Sequence, residues 1–342
     1  MNEEHIKVSV LIPVYGVEKY IEKCVKSLFE QTIQEGIEFI FVDDATPDNS
    51  ISIIERTLLD YPQRINQVRI IHNKKNLGLA DTRVVALKAA RGEYVIHCDS
   101  DDWVDVTMYE KLYQEALLSN ADIVGCNSIH VFKKGETVNK ENFLLPKNIL
   151  LSKLIKRKGV IDGYLWNRLI RRDFYIRHMF KARSRTTLFE DMAVTVPMHA
   201  LSDKVAYVNE SLYYYRRTDD STMSAELSEG NIRSAVGVLM DLFNTPSLQN
   251  WQSEIQYRMR SMLFNRLYPV NKEKAVAWMN VEYKLIKEFG VPLLLNDKIR
   301  INLIERGYFR THNLYQWTSS LFRFQYWKYL FERVMKKSRN IK

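Results

Sequence analysis

The sequence has no stretch of about 18 consecutive apolar residues, so a membrane-crossing helix is not expected. Cysteine is scarce. Cys24, Cys98 and Cys126 make an odd count without CxxC spacing, which excludes a disulfide framework or a cysteine zinc knuckle and fits a reducing, cytoplasmic setting. The start, Met1-Asn2-Glu3-Glu4, has neither the basic residues nor the apolar run of a secretory leader. A glycine-rich phosphate loop is also missing. Where a dinucleotide-binding chain would show GxGxxG after its first strand, this one has Pro13-Val14-Tyr15-Gly16, which argues against a nicotinamide oxidoreductase or a nucleotidyltransferase. Acidic residues are nearly absent from one end: between Arg306 and Lys342, nine Lys/Arg meet only Glu332. That segment holds nearly all of the net charge of +9, so the rest is close to neutral and no nucleic-acid partner is expected.

What is present is the make-up of a folded protein, 46% hydrophobic and 27% charged over 342 residues. Residues 7–15 form a β-branched apolar run that reads as a buried parallel strand, and apolar positions from Val17 to Leu28 recur at helical spacing. Strands are then predicted at 37–42, 69–71 and 93–98, with helices running to about Leu59 and from Leu79 to Ala90. Alternation of this kind predicts an α/β layer with a doubly wound, mainly parallel sheet whose ligands lie beyond the carboxyl ends of the strands. A helix over 108–119 and a strand over 121–126 follow, while 133–158 is polar and poorly periodic. Beyond Gly230 the pattern is helical. The expected divisions are 1–110, 111–229 and a helical C-terminal region over 230–342.

Two acidic clusters fall at strand ends. Asp99-Ser100-Asp101-Asp102 sets three carboxylates in four residues, a repulsion that a divalent cation would relieve. Capping of a helix starting near Val104 is the competing explanation. Asp43-Asp44 closes the second strand, where it is placed either to accept hydrogen bonds from a ribose or base, or to build a turn with Pro47, Asp48 and Asn49.

Four segments in order, Val8 to Tyr15, Val42-Asp43-Asp44, Asn76-Leu77-Gly78 through Arg83, and Asp99 to Asp102, resemble the successive motifs of the family 2 inverting glycosyltransferases. Trp166-Asn167-Arg168 and Glu190-Asp191 resemble that family's acceptor-side motifs. The resemblance implies a GT-A fold and a nucleotide-sugar donor, UDP-linked by expectation. Pro13 and Tyr15 would lie along the base, with Asp43, Asp44, Arg83, Asp99 and Ser100 completing the donor site. Asp101, with Asp99 or Asp102, would hold Mn²⁺ or Mg²⁺, and Arg216 and Arg217 are candidate diphosphate contacts. Asp191, with Glu190 beside it, would take the proton of an acceptor hydroxyl on a carbohydrate or lipid-linked glycan. Asp81-Thr82-Arg83-Val84-Val85 departs from the small residues usual there, so the resemblance does not identify the sugar. An inactive sugar-nucleotide-binding or scaffolding relative is the alternative, which the presence of Asp101 and Asp191 disfavours.

The C-terminal stretch from Leu314 mixes aromatic rings with Arg323, Lys328, Arg333 and four further cations. This pattern suits an anionic membrane surface and a peripheral position at the inner face of the cell membrane. The apolar residues at 314, 317, 321, 324, 327, 331 and 334 equally suit a helix packed on the protein.

Overall fold

The structure is a computed structural model that describes residues 5–156, 161–217 and 229–264, together with Glu288. The chain divides into two compact units, Met1–Ile255 and Gln256–Lys342. The aromatic, basic C-terminal stretch lies outside the described residues.

The first unit is built on one mixed sheet. Strand β1 (Val8–Val14) is buried along its whole length and is flanked by β2 (Ile37–Asp43) and β4 (Tyr94–His97), both parallel to it. β3 (Val68–His72) extends the parallel set beyond β2. Side chains alternate between two cores, as a strand covered on both faces requires. Val8, Val10, Ile12, Phe39 and Phe41 pack on one face with Cys24, Val25 and Leu28 of α1 (Ile21–Phe29). Leu11, Ile40, Val42 and Val95 pack on the other with Ala86 of α3 (Leu79–Ala89). In register, Val14 faces Asp43 and Leu11 faces His97. The residues that follow these strands, Tyr15, Asp44 and Asp99, therefore emerge at one edge.

Past β4 the sheet turns mixed. β8 (Arg168–Arg171) runs antiparallel between β4 and β6 (Ile123–Phe132), and β9 (Val205–Arg216) lies parallel to β6 with a register shift at Cys126–Ser128. The two-residue strand β5 (Trp103–Val104) pairs with β9. That pairing removes the capping explanation for the acidic loop, because the next helix, α4 (Met108–Ser119), starts only after Asp105 has accepted hydrogen bonds from the Thr107 amide and hydroxyl. The polar stretch after Phe132 holds the exposed edge strand β7 (Gly135–Asn139) and the helix α5 (Lys147–Lys156). α7 (Glu190–Leu201) carries the remaining acidic pair in its first turn. Helices α8 (Glu229–Asn244) and α9 (Gln252–Phe264) follow.

Candidate active site

A cleft of about 1110 Å³ opens at the carboxyl ends of β1, β2 and β4. Pro13, Tyr15, Asp44, Asp99, Ser100, Asp101, Glu190, Asp191 and Arg216 all line it, so most of the residues singled out in the sequence meet in one place. Tyr15 is half exposed and stands at the mouth. The loop carrying it is held by Thr46 and Asp48, whose side chains accept from the amides of Gly16 (2.8 Å) and Glu18 (2.9 Å). Gly16 has φ +67°, a conformation that favours glycine.

The two aspartates after β2 differ in their employment. Asp43 accepts from the Thr46 amide at 2.8 Å and pairs with His72 at 2.9 Å, which is turn-building, and it is not part of the cleft lining. Asp44 accepts from Asn73 and from the amides of Leu77 and Gly78, each at 2.8 Å. A carboxylate has about four acceptor directions, so Asp44 keeps one for a ligand while it shapes the Asn76-Leu77-Gly78 wall.

The acidic loop also divides its work. Asp102 is fully buried and accepts from the Tyr213 hydroxyl (2.8 Å) and the Arg216 amide (2.7 Å). It anchors β9 and does not line the cleft, which corrects its place among the expected metal ligands. Asp99 and Asp101 do face the cleft. Burial, with the Asp99 charge adding to it, pushes the Asp101 carboxyl up to about 6. Among the described residues no three His, Cys, Asp or Glu are grouped to hold a metal alone. Two carboxylates still fit an ion of the Mg²⁺ type, which takes one or two protein oxygens and completes its shell with water and phosphate. The two carboxylates of one short loop, Asp99 and Asp101, both on the cleft, are the observation in favour.

Arg83 ties this loop to the opposite wall. Its guanidinium, 6% exposed, donates to Asp99 Oδ1 at 2.8 Å and to Asp191 Oδ1 at 2.5 Å, and lies 3.9 Å from Glu190. Burial opposes the Arg83 charge, but Asp191, Asp99 and Glu190 outweigh it and hold its pKa above the ordinary value. Burial raises Asp191, with Arg83 acting against that rise, and burial and the Asp191 charge bring Glu190 up to about 7. Both acids sit in the first turn of α7, where the helix dipole favours negative charge.

The Trp166-Asn167-Arg168 motif braces this wall, and Trp166 itself lines the cleft. Trp166 is sandwiched between Tyr164 (4.7 Å between centroids) and Tyr213 (4.1 Å). The buried Arg168 guanidinium donates to Asn167 Oδ1 (2.6 Å), to the Asp162 carbonyl (2.5 Å) and to the Tyr164 carbonyl. Asp162, Gly163 and Tyr164 thereby join the cleft lining, a role that no spacing in the sequence announced. Of the arginine pair, Arg216 reaches the cleft and donates from Nε to the Asp101 carbonyl at 2.7 Å. Arg217 instead lies 5.4 Å over the Tyr215 ring and is not part of the cleft lining.

The family model described as glycosyl transferase family 2 matches residues 9–179, half of the chain. The chain belongs to this family. It is 33% identical over 224 residues to the uncharacterized glycosyltransferase EpsJ of Bacillus subtilis, a match covering 63% of this chain and 62% of that one. The cholesterol galactosyltransferase of Borreliella burgdorferi is 32% identical over 221 residues, covering 60% and 59% respectively. The match thus spans less than two thirds of either relative. In three dimensions the chain is similar to a Staphylococcus aureus TarS fragment in complex with UDP-GlcNAc, with a TM-score of 0.65, 20% identity, and 91% and 89% of the two chains covered. The GT-A fold expected from the motifs is therefore the fold observed.

Proposed function

We propose that this family 2 member is an inverting glycosyltransferase that moves a sugar from a UDP-sugar to an acceptor hydroxyl in the synthesis of a surface polysaccharide or glycoconjugate. One observation carries the reading: Arg83 holds a mostly buried carboxylate, Asp191, across the cleft from the acidic loop at Asp99. A sugar hydroxyl is a poor nucleophile at neutral pH. Asp191 takes its proton as the hydroxyl oxygen attacks the anomeric carbon, and the bond from that carbon to the diphosphate oxygen breaks with its electron pair. One displacement inverts the anomeric centre. Mn²⁺ or Mg²⁺, held by Asp101 with Asp99, would supply Lewis-acid neutralisation of the diphosphate. Tyr15 and Asp44 orient the nucleotide, and Asp102 keeps the acidic loop in place through Tyr213. That TarS was obtained with UDP-GlcNAc supports the choice of a UDP-sugar. The test is incubation with a panel of nucleotide sugars and Mn²⁺ or Mg²⁺, following release of nucleoside diphosphate and product anomeric configuration by NMR. Release from no donor, or a retained configuration, would remove the proposal.

Arg83 makes a pH prediction. Burial already raises Asp191, and Arg83 opposes it. Arg83→Gln removes the opposition, so the base should protonate at higher pH than in the parent. The acid limb of the kcat/KM profile should therefore move to higher pH, with the rate lost first at the low end. An unshifted limb would show that Arg83 does not govern the base.

We further infer that the basic aromatic C-terminal stretch holds the enzyme at an anionic membrane, where a lipid-linked acceptor is found. Each cation near such a surface contributes about 1 kcal/mol. The full chain should pellet with anionic but not zwitterionic vesicles, and less so in high salt. A folded chain ending near Thr311 should stay in solution, and equal behaviour of the two would discard the idea.

A further inference from the structure

A second, open groove of about 670 Å³ runs between α1, β5 and the end of β9, next to the cleft described above. Its walls include Lys19, Tyr20, Lys23, Trp103 and Tyr214. Lys19 and Tyr20 also line the catalytic cleft, so the two depressions are continuous there.

Lys19, Lys23 and Lys26 share this groove with Glu22, Glu30 and Asp105, and Arg216 adds a further cation from the side of the cleft. Lys23 Nζ lies 3.2 Å from the Trp103 ring centroid, and the Arg216 guanidinium lies 4.8 Å from the centroids of both Trp103 and Tyr20. Lys19 is exposed on the shared rim. The carboxylates nearby are engaged: Glu22 with Lys26 at 2.7 Å, Glu30 with the Tyr61 hydroxyl at 2.7 Å, and Asp105 with Thr107. Among the described residues no carboxylate forms an ion pair with Lys19, Lys23 or Arg216. Burial and the Arg216 charge together lower the Lys23 pKa, against a smaller pull from Glu136.

Surface cations ordinarily spread apart or pair with acids, because like charges repel. Here aromatic rings pin them beside one another, and attraction to the ring faces partly offsets the repulsion. A bound anion would relieve the rest through charge-assisted hydrogen bonds, with little further ordering of side chains already held. A neutral sugar would leave the crowding as it is. A phosphate group offers enough acceptor oxygens for an ammonium and a guanidinium together.

We propose that this groove is an anion subsite that holds a phosphate or phosphodiester group of the acceptor and leads the acceptor past Lys19 and Tyr20 into the cleft. The identity of the occupant rests on the transferase reading, whereas anion binding by the groove does not.

The test is calorimetric titration of the full chain with a glycerol-phosphate hexamer, and separately with UDP plus Mn²⁺. The hexamer should bind, more weakly as salt is raised, and a neutral dextran hexamer should not. Lys23→Met keeps an unbranched side chain beside Trp103 but removes the charge, and it should weaken hexamer binding about tenfold. Lys23→Arg should restore it. UDP binding by Lys23→Met should stay within about twofold of the parent, which also shows that the variant is folded. Asp101→Asn should do the reverse, weakening UDP–Mn²⁺ and sparing the hexamer. Hexamer affinity that is equal in the parent and Lys23→Met overturns the groove, whatever UDP does. Loss of UDP binding in the parent with hexamer binding intact counts against the transferase reading alone. If phosphatidylglycerol vesicles discriminate between parent and Lys23→Met while the hexamer does not, the groove is a lipid headgroup site and the acceptor assignment falls.

Discussion

Asp191→Asn is expected to lower sugar transfer by about 10²–10⁴-fold while nucleotide binding stays near the parent value. The amide is close to the carboxylate in size and its oxygen can still accept from Arg83, so the bridge between the walls should survive. What it cannot do is take a proton. A base that acts only as the acceptor oxygen attacks contributes to the transition state and little to donor binding, so kcat should fall and the UDP dissociation constant should not. The neighbouring carboxylate supplies a control. Glu190 lies in the same helical turn, 3.9 Å from Arg83, and is brought up to about 7 by burial and the Asp191 charge. Glu190→Gln should cost less than Asp191→Asn. Should the order be reversed, or Asp191→Asn remain active, the base is Glu190 and the geometry has been assigned to the wrong carboxylate.

How far the sequence led is clearest in the first hundred and twenty residues. The strand over 7–15 and the helix 108–119 are found as Val8–Val14 and Met108–Ser119, because a strand buried on both faces and a helix with a single apolar stripe leave strong periodic traces. Beyond them the traces fade. β9 mixes exposed Asn209 and Glu210 with buried Leu212 and Tyr213, since it changes register against β6 part-way. β7 is exposed along most of its length, so it shows no alternation at all. Pairing of β5 with β9 is a contact between residues more than a hundred positions apart, and two residues cannot signal it locally.

The site was legible as a set of residues more than as a set of roles. Ordered acidic and aromatic motifs located the cleft, but which carboxylate faces it depends on partners distant in sequence. Asp102 is indistinguishable from Asp101 by type and spacing, and only the Tyr213 hydroxyl and the Arg216 amide show that it faces inward. Asp43 and Asp44 separate in the same way, through His72 on one side and the Leu77 and Gly78 amides on the other. The Tyr213-Tyr214-Tyr215 run held the missing signal. Alternation along a strand places its first ring inward, against Trp166 and Asp102, where a buried hydroxyl needs a polar partner.

That division of roles sharpens the second large effect. Asp101→Asn is expected to abolish metal-dependent donor turnover, since an amide is a neutral and weaker ligand for a hard dication. Folding should survive, because the carboxylate that holds the loop to β9 is Asp102 and the Arg216 Nε donates to the main-chain carbonyl of Asp101, which the substitution leaves in place. Asp102→Asn should behave differently. It replaces an acceptor from the Tyr213 hydroxyl and the Arg216 amide with a group that also carries two donors in a buried setting, and unsatisfied buried donors cost about 1–3 kcal/mol each. Its melting temperature should therefore drop, whereas that of Asp101→Asn should not. Replacing Mg²⁺ or Mn²⁺ with EDTA should reproduce the Asp101→Asn loss in the parent and add nothing in the variant. If EDTA leaves the parent untouched, or if Asp101→Asn turns over at the parental rate, the cleft works without a metal at Asp101, and stabilisation of the leaving diphosphate must come from the remaining cations of the cleft.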